Sequence, residues 1–110
     1  MIGRMTTKND PDLRPLDHNE ISRKLSKLSD WKFDHNKITK TFEFSSFLNG
    51  IEFLNELAPF CDEIDHHPDI HIYYKKITFD LSRFSVGSKV TDRDFAVADK
   101  IEEIFRKSVQ

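Results

Sequence analysis

Apolar residues recur along this chain with two different periods, and each change of period marks a change of element. In "LDHNEISRKLSKLSDW", Ile21, Leu25 and Leu28 share one helical face behind Asp17 and Glu20, which stand at capping-box spacing, so a short amphipathic helix is predicted. The next stretch, "WKFDHNKITKTFEF", alternates instead. Trp31 and Phe33 point one way, the polar "DHNK" turns the chain, and Ile38, Phe42 and Phe44 share a parity, which predicts a β-hairpin with Lys40 as its one discordant inward residue. Helical spacing returns in "SSFLNGIEFLNELAPFCDEID", where serines suited to capping precede two apolar rows. One row is Phe47, Ile51, Leu54, Ala58 and Cys61, the other Phe53, Leu57, Phe60 and Ile64. A single sheet covers only one row, so the second asks for another helix or another subunit, and self-association is expected. Pro59 is predicted to bend this helix, because its ring removes the bond back toward Asn55.

Alternation then resumes. Ile70, Ile72 and Tyr74 alternate with His71 and Tyr73, the chain turns near Lys75 and Lys76, and Ile77, Phe79 and Leu81 alternate with Thr78, Asp80 and Ser82. "SVGSKV" reads as a loop in which Gly87 supplies freedom. A last helix starts at the capping box of Thr91 and Asp94 and carries Val97, Ala98, Ile101, Ile104 and Phe105 as its apolar arc. The order helix, hairpin, helix, hairpin, helix predicts an α+β fold: a four-stranded, mostly antiparallel sheet with three helices packed on one face.

Length allows one such domain in 110 residues, and ten phenylalanines feed its core. Residues 1–14 read as a polar N-terminal tail and 15–110 as the domain. Seventeen basic against nineteen acidic residues leave a formal charge of -2, without the basic excess that phosphate-backbone binding requires, so no direct nucleic-acid ligand is expected. The single Cys61 excludes an internal disulfide framework and any multi-cysteine zinc site. Neither a signal peptide's apolar core nor a membrane span is visible, and a cytoplasmic protein without membrane contact is expected.

Candidate chemistry concentrates in "DEIDHHPDIHIYYKKITFDLSRF", where His66 and His67 stand side by side before Pro68. Pro68 pushes His67 toward an extended backbone, so the second helix is expected to stop by His66 or His67 and the two imidazoles to leave a helix end. There the helix dipole favours a protonated ring while an apolar pocket opposes it, and both act on a group that titrates near neutrality. One ring that donates a proton beside one that accepts it is what an elimination of water needs. A helix C-terminus also favours histidines as simple caps. A metal site built from His66, His67 and His71 with Asp62, Asp65 and Asp69 is disfavoured, since Pro68 forbids the helix on which His67 and His71 would meet. Asp94 has a sufficient structural role as the capping partner of Thr91, and Lys75 with Lys76 reads as a solvated turn.

Asp62, three intervening residues, His66-His67-Pro68, five residues to Tyr74, nine to position 84 and a later Asp94 together resemble the signature of the pterin-4a-carbinolamine dehydratases. The likeness extends to Trp31, "FEFSSFLNGIEFLNELA", "ITFDLS" and "VTDRDFAVADKIE", which is nearly everything after the tail. The resemblance implies loss of water from a 4a-hydroxytetrahydropterin to give quinonoid dihydropterin, in the recycling of tetrahydrobiopterin for aromatic amino acid hydroxylases, with no metal or organic cofactor. It further implies that His66 and His67 are the acid–base pair, that Asp62 supports them and that Asp94 is the signature aspartate. His67 and Pro68 with Arg83, Phe84, Ser85 and Val86 would line the pterin site, and Tyr74 is the signature aromatic. Homodimers or homotetramers are implied, and for some members a role as dimerisation cofactor of a homeodomain transcription factor. One position departs from the pattern. Phe84 stands where a third histidine or a tryptophan is usual, and phenylalanine can stack on a flat ring but cannot carry a proton.

Overall fold

A computed structural model describes residues 14–83, 87 and 89–108. Among the described residues seven elements follow one another: α1 (His18–Leu25), β1 (Lys32–Asp34), β2 (Lys37–Glu43), α2 (Phe47–Glu63), β3 (Asp69–Tyr73), β4 (Lys76–Leu81) and α3 (Asp92–Ser108). Asp17 and Glu20 form the expected capping box, but α1 ends at Leu25, so Leu28 lies past the helix and packs on the core from the following turn. Arg14, placed in the tail by the sequence, is already engaged, with Nη2 2.7 Å from Glu20 Oε2. The rest of the expected tail lies outside the described residues.

The strands form one sheet in the order β1-β2-β4-β3, and every pairing is antiparallel. Two-residue reversals join the hairpins. His35 and Asn36 take φ of 51° and 61°, which an asparagine tolerates and which matches the twist of the flanking strands. Parity then decides the two faces. Ile38, Phe42, Ile77, Phe79 and Leu81 are buried beneath the helices, while Thr39, Thr41, Thr78, Asp80 and His71 share the open face. Lys40, on the inward parity, is satisfied rather than expelled: its Nζ lies 2.6 Å from Glu102 Oε2, which also accepts from Trp31 Nε1 at 2.8 Å.

The two apolar rows of α2 are used differently from the expectation. Phe53 and Leu57 are buried, and Phe60 and Ile64 pack against the same core beside α3, so this row is covered within the chain. The other row stays partly open: Cys61 is buried, but Phe47 is 49% exposed. It flanks the edge strand β3, where Ile70 and Ile72 are 41% and 42% exposed. Helix α2 runs through Pro59 to Glu63. It can lie close on the sheet because Gly50 faces β4, where a Cβ would come within 3.1 Å of Ile77 Cδ1.

Candidate active site

The site begins where α2 stops, at Glu63, three residues before His66. Asp65 adopts φ 53°, and the His66 amide donates to the Cys61 carbonyl at 3.0 Å while the Asp65 amide donates to Asp62 at 3.2 Å. This pair of bonds is a Schellman ending, with aspartate in the left-handed position that glycine usually fills. The helix-end carbonyls are held by arginines and not by the imidazoles. Arg93 Nη1 donates to the Ile64 carbonyl at 2.6 Å and Arg83 Nη1 to the Asp65 carbonyl at 2.6 Å.

From this turn the two histidines go to opposite environments. His66 is 2% exposed and its Nε2 meets Oδ1 of Asp94, which is itself fully buried. Its Nδ1 lies 2.9 Å from Arg83 Nη1. A guanidinium can only donate, so Nδ1 accepts and the ring's single proton sits on Nε2, directed at the Asp94 carboxylate. Asp94 performs both tasks that the sequence set against each other. Its Oδ2 accepts from the Thr91 amide at 2.8 Å and from the Thr91 hydroxyl at 3.2 Å, which starts α3, while Oδ1 holds His66.

His67 is the accessible ring. Its side chain is 55% exposed, and Nε2 lies 2.8 Å from Oδ1 of the exposed Asp62. With Nε2 donating to that carboxylate, Nδ1 remains to exchange a proton with a bound molecule. His67, Asp62 and Pro68 border a groove of about 290 Å³ whose walls are Leu54, Leu57, Ala58, Cys61 and Ile70. Burial, with a smaller contribution from the charge of Asp62, pushes the Cys61 thiol up to about 11, so it is a wall and not a nucleophile.

Other predicted residues are distributed unevenly. Arg83 reaches the turn, but Phe84, Ser85 and Val86 lie outside the described residues. Tyr74 is not brought to the histidines within this chain. It is the left-handed residue of the β3–β4 reversal, 73% exposed, at the opposite end of β3 from Pro68. His71 turns to the open sheet face, where Nε2 lies 3.0 Å from Asp80 Oδ2. No cluster of three or more potential metal ligands occurs among the described residues. Arg93 was missed by the sequence reading. Its only signal there was its place in the first turn of the last helix, next to Asp94.

The profile of the family described as pterin 4 alpha carbinolamine dehydratase matches residues 14–104. The chain belongs to the pterin-4a-carbinolamine dehydratase family. A relative from Sulfolobus acidocaldarius, provisionally named pterin-4-alpha-carbinolamine dehydratase, is 44% identical over 89 residues, which is 81% of this chain and 97% of the relative. Among solved structures, a transcriptional coactivator/pterin dehydratase from Brucella melitensis superposes with a TM-score of 0.79 at 27% identity, covering 83% of this chain and 98% of its own. A pterin dehydratase-like protein described as a RuBisCO assembly factor of the alpha-carboxysome shares the fold, with a TM-score of 0.54 at 21% identity over 67% of this chain and 84% of its own. The dehydratase fold is thus three helices on a four-stranded antiparallel sheet. No helix among the described residues is long and apolar enough to cross a membrane.

Proposed function

We propose that this member of the dehydratase family eliminates water from a 4a-hydroxytetrahydropterin, yielding quinonoid dihydropterin in tetrahydrobiopterin recycling. The observation that carries the reading is the His67–Asp62 pair at 2.8 Å on the rim of an apolar groove, behind which His66 is tied to Asp94. In the reaction the C4a–O bond breaks, the leaving hydroxide takes one proton, and N5 gives up another. His67 exchanges these protons through Nδ1 while the Asp62 carboxylate supports the imidazolium form. The flat heterocycle lies against Pro68 and the aliphatic groove wall, and Phe84, Ser85 and Val86 are assigned to its rim from the family motif. His66, with both ring nitrogens engaged, supports the turn that carries His67. No metal or organic cofactor enters this chemistry.

A second copy of the chain completes the quaternary structure in this reading. Support comes from the edge strand β3, whose outer backbone groups lie at the border of the sheet, and from the half-exposed Ile70, Ile72 and Phe47 beside it. The decisive experiment is a dehydratase assay on a 4a-hydroxypterin with the parent chain and Phe84→His. Measurable turnover in the parent and an equal or higher rate in the variant are expected. An inactive parent that gains turnover with Phe84→His favours a second reading: an impaired pterin-binding homologue that works as a dimerisation cofactor for a protein partner such as a transcription factor. The open apolar row of α2 supplies the surface that this second reading needs.

A further inference from the structure

Three consecutive residues past the end of α2 are each held from another part of the chain. The Ile64 carbonyl is held by Arg93, the Asp65 carbonyl by Arg83, and the His66 ring by Arg83 on one side and Asp94 on the other. Arg83 is the member common to backbone and ring. The two hydrogens of its Nη1 serve an oxygen at 2.6 Å and a nitrogen at 2.9 Å. Its side chain is only 12% exposed, and its Nη2 lies 3.9 Å from Asp65 Oδ2. A planar fork with fixed donor directions suits this double contact, whereas a lysine ammonium presents a point charge without that geometry.

We propose that Arg83 is a positioning residue and not a pterin ligand: it fixes His66 as the tautomer that donates through Nε2 to Asp94, and so sets the turn from which His67 enters the groove. Two consequences follow from the geometry. With its Nδ1 lone pair occupied, His66 has no free nitrogen facing a ligand, so proton exchange falls to His67. With the left-handed Asp65 held by its carbonyl, the backbone leading to His67 has one direction, which preorganises a ring that is otherwise half in solvent. The kinetic part of this inference rests on the dehydratase reading. The placement of protons on His66 does not.

The test therefore has two arms on the full chain. Nitrogen-15 NMR of labelled histidine at neutral pH, with His66 assigned by its absence from a His66→Gln spectrum, should show Nδ1 unprotonated and Nε2 protonated in the parent. Arg83→Met should shift the Nδ1 signal and open Nδ1 to protonation, while Nε2 keeps its proton on Asp94. A parent with a proton on Nδ1, or a variant whose two signals match the parent's, overturns the proposal. In the dehydratase assay Arg83→Met should lower kcat by roughly tenfold or more with KM changed by less than about twofold, and Arg83→Lys should fall between the two. A raised KM with kcat retained marks Arg83 as a contact to the pterin and also overturns it. Should Arg83→Met not fold, Arg83→Lys and the parent spectrum carry the same decision. A parent without dehydratase activity defeats the functional reading alone, since the NMR arm still decides the role of Arg83.

Discussion

Nε2 of His67 lies 2.8 Å from Oδ1 of Asp62, five residues earlier, across the turn that ends α2. The pair faces solvent on both sides, so its contribution to folding is small and its value is chemical. His67→Ala should lower dehydratase kcat by about 100- to 10,000-fold, the range for loss of one acid–base group, with little change in unfolding midpoint. Asp62→Asn, which keeps a hydrogen-bond acceptor but removes the charge, should cost roughly tenfold or less. Steady-state kinetics beside urea denaturation separates these outcomes from a folding defect.

Asp94 predicts the opposite balance. Its carboxylate is fully buried and accepts from Thr91 and from His66, so Asp94→Ala leaves the Thr91 amide and the His66 Nε2–H without their acceptor. The expected cost is about 3 kcal/mol or more, read as a fall in urea midpoint. An unchanged midpoint contradicts the assignment of Asp94 to two bonds.

Acid stability should depend on Asp80, on the open sheet face and paired across the sheet with Asp69. Burial acts to raise this carboxyl, but bonds from Thr39, Lys37 and His71 outweigh it and hold the group below its ordinary value of 3.8. A depressed carboxylate contributes stability that is complete above the ordinary value and is lost as pH falls through the lower folded value. Asp80→Asn should therefore be less stable than the parent at neutral pH, by about 1–2 kcal/mol, and should lose less on acidification below 3.8. Guanidinium melts at stepped pH check both statements.

Cys61 should be silent to thiol reagents. It is 3% exposed and its thiol titrates at about 11, so the nucleophilic thiolate is scarce at mildly alkaline pH. Labelling is expected only at the rate of unfolding, and a rapid burst of modification in the native chain would contradict the packing of this groove wall.

Most of the fold is written in periodicity because the central strands and the helices each bury one face: Ile38, Phe42, Ile77, Phe79 and Leu81 alternate, and Val97, Ala98, Ile101 and Ile104 recur at helical spacing. Legibility failed where contacts are long-range. Nothing in the apolar rows of α2 says that Phe60 and Ile64 meet α3 while Phe47 stays open, because that depends on where α3 docks. The site was half legible. His66, His67, Asp62 and Asp94 stand out by type and spacing, but the separation of one buried from one exposed imidazole follows from a left-handed aspartate and two arginines. Their partners are backbone carbonyls, and backbone carbonyls leave no mark in a sequence.

Because one carboxylate both launches α3 and seats a ring 28 positions upstream, residue 94 is constrained twice over. Glutamine could reach back to the Thr91 amide in the same way, yet it lacks the two anionic oxygens that serve the two duties. Divergence at that position is therefore closed off even in a descendant that has given up chemistry, and the architecture can outlive the activity.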